Sequence, residues 1–111
     1  MSERPESVLI EDMIEAAEQV VAYVLGFTFE GFLSDRKTQD AVVRNLEILG
    51  EAAGTVSEGV KNANSSIPWK NIIGMRNRLI HGYSGVNWDI VWSVAFEDMP
   101  GLIKMLKSIH V

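Results

Sequence analysis

Between Arg76 and Tyr83 the chain places two guanidiniums, an imidazole and a phenol within eight residues, in the run Gly74-Met75-Arg76-Asn77-Arg78-Leu79-Ile80-His81-Gly82-Tyr83. These are the groups that cleavage of a phosphodiester needs when no metal assists. An imidazole takes or gives a proton near neutral pH, and a guanidinium clamps the non-bridging phosphate oxygens as charge builds on them. The only other histidine, His110, lies one residue from the C-terminus. One chain therefore offers a single well-placed imidazole.

The spacing constrains how these groups meet. On an ideal helix Arg76 lies at the centre of the arc formed by Trp69, Ile72, Ile73, Leu79 and Ile80. A guanidinium amid that apolar stripe must find a carboxylate, a phosphate or a wet cleft, because an isolated buried charge is costly. Continuing the helix would turn His81 about 140° away from Arg76, five steps of ~100° each. The two converge if the helix ends near Ile80, with Gly82 as terminator, or if a second chain supplies the other half. Arg78 and His81, three apart, would face each other more simply, so spacing alone does not choose between the arginines. Two plainer roles stand beside these. His81 at a helix end can bond the last carbonyls, and Arg76 can be a structural salt bridge to a carboxylate such as Glu47 or Glu51. Glu47 and Glu51, four apart, fit a solvated face or a bridge to Arg44 better than a pair of catalytic acids.

Charge is unevenly spread. The chain has a formal net charge of −5, which argues against indiscriminate coating of nucleic acid. Residues 1–58 hold twelve acids and four bases, whereas residues 59–88 hold Lys61, Lys70, Arg76 and Arg78 and no acid. A cationic island thus surrounds the run. A two-fold dimer would pool two such islands, and would bring a second His81 and a second Arg76 into one cleft, supplying both a base and an acid.

The rest of the chain must position that run. With 111 residues and no cysteine, a single domain over residues 1–111 is expected, without disulfides or thiolate metal sites. Two histidines leave little material for a metal centre, and no phosphate-loop, GxGxxG, HExxH or GxSxG motif occurs; no cofactor is expected. No apolar run approaches a membrane span and the start lacks a signal-peptide core, so a cytoplasmic protein is expected.

Helical periodicity dominates. Ile10, Ile14, Ala17, Val21 and Val24 form one stripe, with Pro5 at a first helical position and Gly26 as a stop. Phe27–Leu33 reads as a short turn or helix, and Ser34 or Asp35 caps a second long helix with a seam of Val42, Leu46, Leu49, Ala53 and Val56. Gly50 and Gly54 would let another helix come close. Residues 59–67 read as a loop, and Pro68 opens a third helix ending at Gly82. Asn87 caps a fourth, which Pro100 must kink or break, and a last amphipathic piece runs through Leu102, Ile103, Leu106 and Ile109. Trp69, Trp88 and Trp92 suit core or interface better than base stacking. The expected fold is all-α, an up-and-down bundle of four to five helices.

Arg76, four residues, His81, one residue and Tyr83 together resemble the Arg-x4-His-x-Tyr signature of HepT-like toxins, a branch of the HEPN superfamily of small helical ribonucleases. The likeness takes in residues 35–52, Ile67-Pro68-Trp69, residues 74–83 and Val91-Trp92. It implies a bundle that dimerises, alone or within a higher assembly, so that its two motifs meet in a cleft. It also implies metal-independent RNA cleavage with Arg76 and His81 as the catalytic pair. A neighbouring antitoxin of MntA type, a minimal nucleotidyltransferase, would transfer AMP to the motif tyrosine, here Tyr83. Asn77, Arg78 and Lys70 are second candidates for orienting the site or holding RNA. The family commonly reads His-Gly-Tyr-Phe-Gly-Val-Asp, whereas this chain has Ser84 for the aromatic and Asn87 for the aspartate. The competing expectations are a non-catalytic HEPN-like dimer that binds a nucleotide or a nucleotidyltransferase, and a structural dimer in which the motif is a salt-bridged seam.

Overall fold

The computed structural model describes residues 4–82 and 85–111, and these contain helices and turns but no strand. In chain order they are α1 (Glu6–Val24), α2 (Phe29–Leu33), α3 (Arg36–Thr55), α4 (Glu58–Ala63), α5 (Trp69–His81), α6 (Trp88–Ser93), a π-helical turn (Val94–Asp98) and α7 (Met99–Lys107). Three long helices and the composite rod α6–π–α7 make an up-and-down bundle, with α2 and α4 as short connectors. None of the helices among the described residues is long and apolar enough to cross a membrane.

Local chemistry sets the ends. Pro5 stands just before α1 and its carbonyl accepts from Val8 and Leu9 N–H at 3.0 and 3.1 Å, one position earlier than its fixed φ alone suggests. Gly26 turns the chain away at φ +83°, a region that L side chains avoid. Thr28 Oγ1 accepts from Gly31 N–H, and Asp35 rather than Ser34 caps α3 by accepting from Thr38 N–H, each at 3.0 Å. Asn87 Oδ1 accepts from Asp89 and Ile90 N–H at 3.0 and 3.3 Å, capping α6.

Two expectations need correcting. The polar stretch read as a loop over residues 59–67 contains α4. Ser57 Oγ caps it at Val60 N–H, Asn64 Nδ2 closes it onto the Val60 carbonyl, and Val60 packs against the core. Pro100 does not break the last rod. It sits in the first turn of α7, where a missing N–H is harmless, and the wider π-turn ahead of it absorbs the irregularity.

The core joins α1, α3 and α7. Met13, Ala17 and Val20 of α1, Val42 and Ala53 of α3 and Leu106 of α7 are almost wholly shielded. α1 packs on α3 and α7, whereas α5 packs chiefly on α3. At the other end Phe32 is buried against Trp88, which it meets in an edge-to-face arrangement, and against Trp92, whose ring is tilted by 40° to its own. Gln39, also buried, donates from Nε2 to the Phe32 and Leu33 carbonyls, each at 3.0 Å. Trp69 is buried too, with its indole N–H on the Asn64 carbonyl.

The α3–α5 crossing is the tightest seat in the fold. A Cβ at Gly50 would overlap Arg76 Cβ, and would stand 2.9 Å from Arg76 Cγ and 3.1 Å from the Ile72 carbonyl oxygen. Gly54, one turn on, has nothing within 4 Å of its Cβ position. The sequence treats these glycines alike, but only Gly50 is a contact. Gly50→Ala is therefore expected to lower stability by about 1–3 kcal/mol through overpacking. Gly54→Ala is expected to raise it by up to about 1 kcal/mol through helix propensity. Urea denaturation of the two variants beside the parent checks both signs.

Candidate active site

Every described residue of the candidate site lies on α5. Arg76 is half-buried because its stem lies in the notch at Gly50. From there its Nη1 donates to Asn77 Oδ1 at 3.1 Å. Its Nε is shielded from solvent and has no hydrogen-bond partner. No carboxylate pairs with it among the described residues. Glu47 lies 3.8 Å from Arg44 Nη1 instead, so Arg76 pairs with neither Glu47 nor Glu51 within one chain.

Helix α5 runs through His81, with Gly82 N–H on the Arg78 carbonyl at 2.9 Å. Gly82 thus ends the helix as expected, with His81, one residue beyond Ile80, still within its last turn. On one chain the imidazole stays about 140° around the helix from the guanidinium. Asn77 lies between them, and it, His81 and Lys70 are all exposed. Arg78 is exposed as well, but its Nη2 lies back over Gly74, 3.9 Å from that residue's Cβ position. It therefore reaches one turn toward the helix start, away from His81.

Two further differences shape the site. Ile80, counted with the apolar stripe, is 42% exposed on the same side of α5 as Arg76. Of the four cations in the island, Lys61 is mostly buried and 3.7 Å from Glu58, which leaves Lys70, Arg76 and Arg78 on α5. Tyr83 and Ser84 lie outside the described residues.

Sequence reasoning named the side chains but missed the seat beneath them. The signal was present, since a glycine inside a long amphipathic helix marks a close approach, but which helix approached could not be read. An arginine held half-buried with an unsatisfied Nε costs the fold about 1–3 kcal/mol. Arg76→Met keeps an unbranched stem in the Gly50 notch and removes that donor. The variant is expected to be more stable than the parent by about 1 kcal/mol, measured by urea denaturation. A loss of stability would mean that the guanidinium is a structural brace.

The chain matches the model of the family described as ribonuclease HepT-like over residues 13–109. It is 42% identical over 93 residues to "Probable ribonuclease HepT" of Thermococcus cleftensis, covering 84% of each chain. It is 39% identical over 100 residues to a "Putative RNase" of Caldanaerobacter subterraneus subsp. tengcongensis, covering 90% of this chain and 89% of that one. A "Putative RNase" of Methanocaldococcus jannaschii is 37% identical over 98 residues, covering 88% of this chain and 81% of the other. No solved structure matches the chain. With the family model spanning most of the chain and these relatives aligned nearly end to end, the chain belongs to the ribonuclease HepT-like family.

Proposed function

We propose that this protein is a homodimeric, metal-independent ribonuclease that serves as the toxin of a toxin–antitoxin pair. The observation that carries the reading is the Arg76 guanidinium, half-buried, without a carboxylate among the described residues and with a shielded, unsatisfied Nε. Such a group is poised for an anion, and a phosphodiester is the anion that an adjacent imidazole can help to cleave.

The chemistry runs by in-line attack. His81 of one protomer takes the proton of a ribose 2′-hydroxyl, and the 2′-oxygen attacks the neighbouring phosphorus. The bond from phosphorus to the 5′-oxygen breaks, and the partner subunit's His81 gives a proton to the leaving oxygen. The products are a 2′,3′-cyclic phosphate and a 5′-hydroxyl. Arg76 holds the non-bridging oxygens while Asn77 fixes its plane, and Lys70 and Arg78 attract the flanking phosphates. The separation of Arg76 from His81 on one helix favours a site completed by a second copy, and exposed Ile80 supplies an apolar contact for it. An MntA-type nucleotidyltransferase silences the enzyme by adding AMP to Tyr83, which places bulk and negative charge at the cleft.

His81→Ala is expected to fold and dimerise as the parent does while cutting single-stranded RNA at least about 100-fold more slowly in EDTA. Parent-like cleavage in EDTA by this variant would remove the assignment. Ile80→Glu is expected to run as a monomer in light-scattering chromatography and to lose cleavage with it. A fully active Ile80→Glu monomer would exclude the shared cleft. Incubation with the cognate nucleotidyltransferase and ATP is expected to add one or more AMP masses to the peptide containing Tyr83, and not to its Tyr83→Phe counterpart.

A further inference from the structure

We propose that a cavity on the flank of α5 away from Asn77 holds a base of the RNA next to the cleaved bond, and that it prefers bases with a carbonyl at C6 or C4 (guanine, uracil) to bases with an amino group there (adenine, cytosine). The proposal rests on the RNA-cleaving role given above and adds a specificity determinant to it.

The cavity measures about 420 Å³, within the ~300–1000 Å³ range of small-ligand sites. Its walls are mostly apolar, from Met75, Leu79, Val86, Ile90 and Val91, and Arg78 and Asn87 are the residues with polar side chains among those that line it. Gly82, the residue after His81, also lines it. The cavity thus begins at the same end of α5 as the imidazole, one residue beyond His81. Ile90 is 47% exposed, an aliphatic surface that a planar ring would cover.

Hydrogen-bond accounting gives the preference. Asn87 Oδ1 is already used, accepting from the Asp89 and Ile90 N–H groups of the α6 cap. What Asn87 has left to offer is its NH2 group, a donor. Arg78 has only donors, and no described carboxylate pairs with it. Neither polar side chain therefore offers a free strong acceptor. Guanine offers O6 and N7 as acceptors and uracil offers O4, whereas adenine and cytosine turn an amino donor toward the same place. Two donors facing an amino group leave N–H groups unpaired, which is the arrangement a binding site rejects most strongly.

The cap makes the test clean, because aspartate caps a helix as well as asparagine does. Asn87→Asp keeps the α6 N-terminus and exchanges the donor for a carboxylate. Two labelled single-stranded oligoribonucleotides serve as probes, identical except that every adenosine of one is inosine in the other. That change replaces the N6 amino group by an O6 carbonyl, turns N1 from an acceptor into an N–H donor, and leaves the purine skeleton and N7 in place. Binding is measured by fluorescence anisotropy with the His81→Ala protein, and cleavage with the parent. The inosine strand is expected to bind about tenfold more tightly and to be cut in preference. Asn87→Asp in the same background is expected to lose that preference, and Ile90→Trp, which fills the cavity, to weaken both strands alike. Equal affinity for the two strands, or a preference that survives Asn87→Asp, overturns the proposal while leaving RNA cleavage standing. If neither strand is bound or cut, the ribonuclease role falls and this proposal falls with it.

Discussion

The close crossing of α3 and α5 is the constraint on which the site depends. Arg76 faces the helix it packs against, and only a residue without a side chain at position 50 leaves room for its Cβ and Cγ. The stem is held where an apolar residue would be expected, and the charge must leave sideways toward Asn77. Remove the notch and the guanidinium is either expelled to solvent or the helices part. The fold accepts a shielded donor without a partner, a cost that packing elsewhere in the bundle offsets.

Much of the bundle was legible because helix faces announce themselves. The α3 seam from Val42 to Val56 is buried throughout, since a four-three alternation has one way to hide its apolar side. Caps at Asp35 and Asn87 were readable for the same local reason: a short oxygen-bearing side chain before a helix satisfies orphan N–H groups. What was not legible depended on distant partners. The six residues of α4 look like a loop by composition and are helical because Val60 packs on the core. Ile80 belongs to the apolar stripe by spacing and shares Arg76's side of α5, yet it lies near the helix end and stays 42% exposed. No periodicity encodes which neighbour is missing.

The site was legible as an inventory rather than as an arrangement. Residue types at 76, 78 and 81 pointed to phosphate chemistry, but spacing left two arginines equivalent. Their surroundings separate them. Arg76 is seated between helices and braced by Asn77, whereas Arg78 reclines over Gly74 and borders the cavity beside Asn87. Such a division follows from a turn of helix, about 100° per residue, combined with the fact that α5 has one close neighbour and one open flank. Asn87 shows the limit from the other side. Its cap was predicted, but the unused half of its amide acquires meaning only when Arg78 is found lining the same cavity.

The π-turn at Val94–Asp98 has a consequence for how this chain compares with its kin. A turn of that kind carries one residue more than an α-helical turn of the same rise, so the rod behaves as two ordinary helices joined by an inserted amino acid. Lineages could lose that amino acid without disturbing the pattern on either side, since Val91 before it and Met99, Leu102 and Leu106 after it bury their own faces independently. A gap of one between positions 94 and 98 would then mark drift within a retained architecture, and descent is better traced through the segments that flank it.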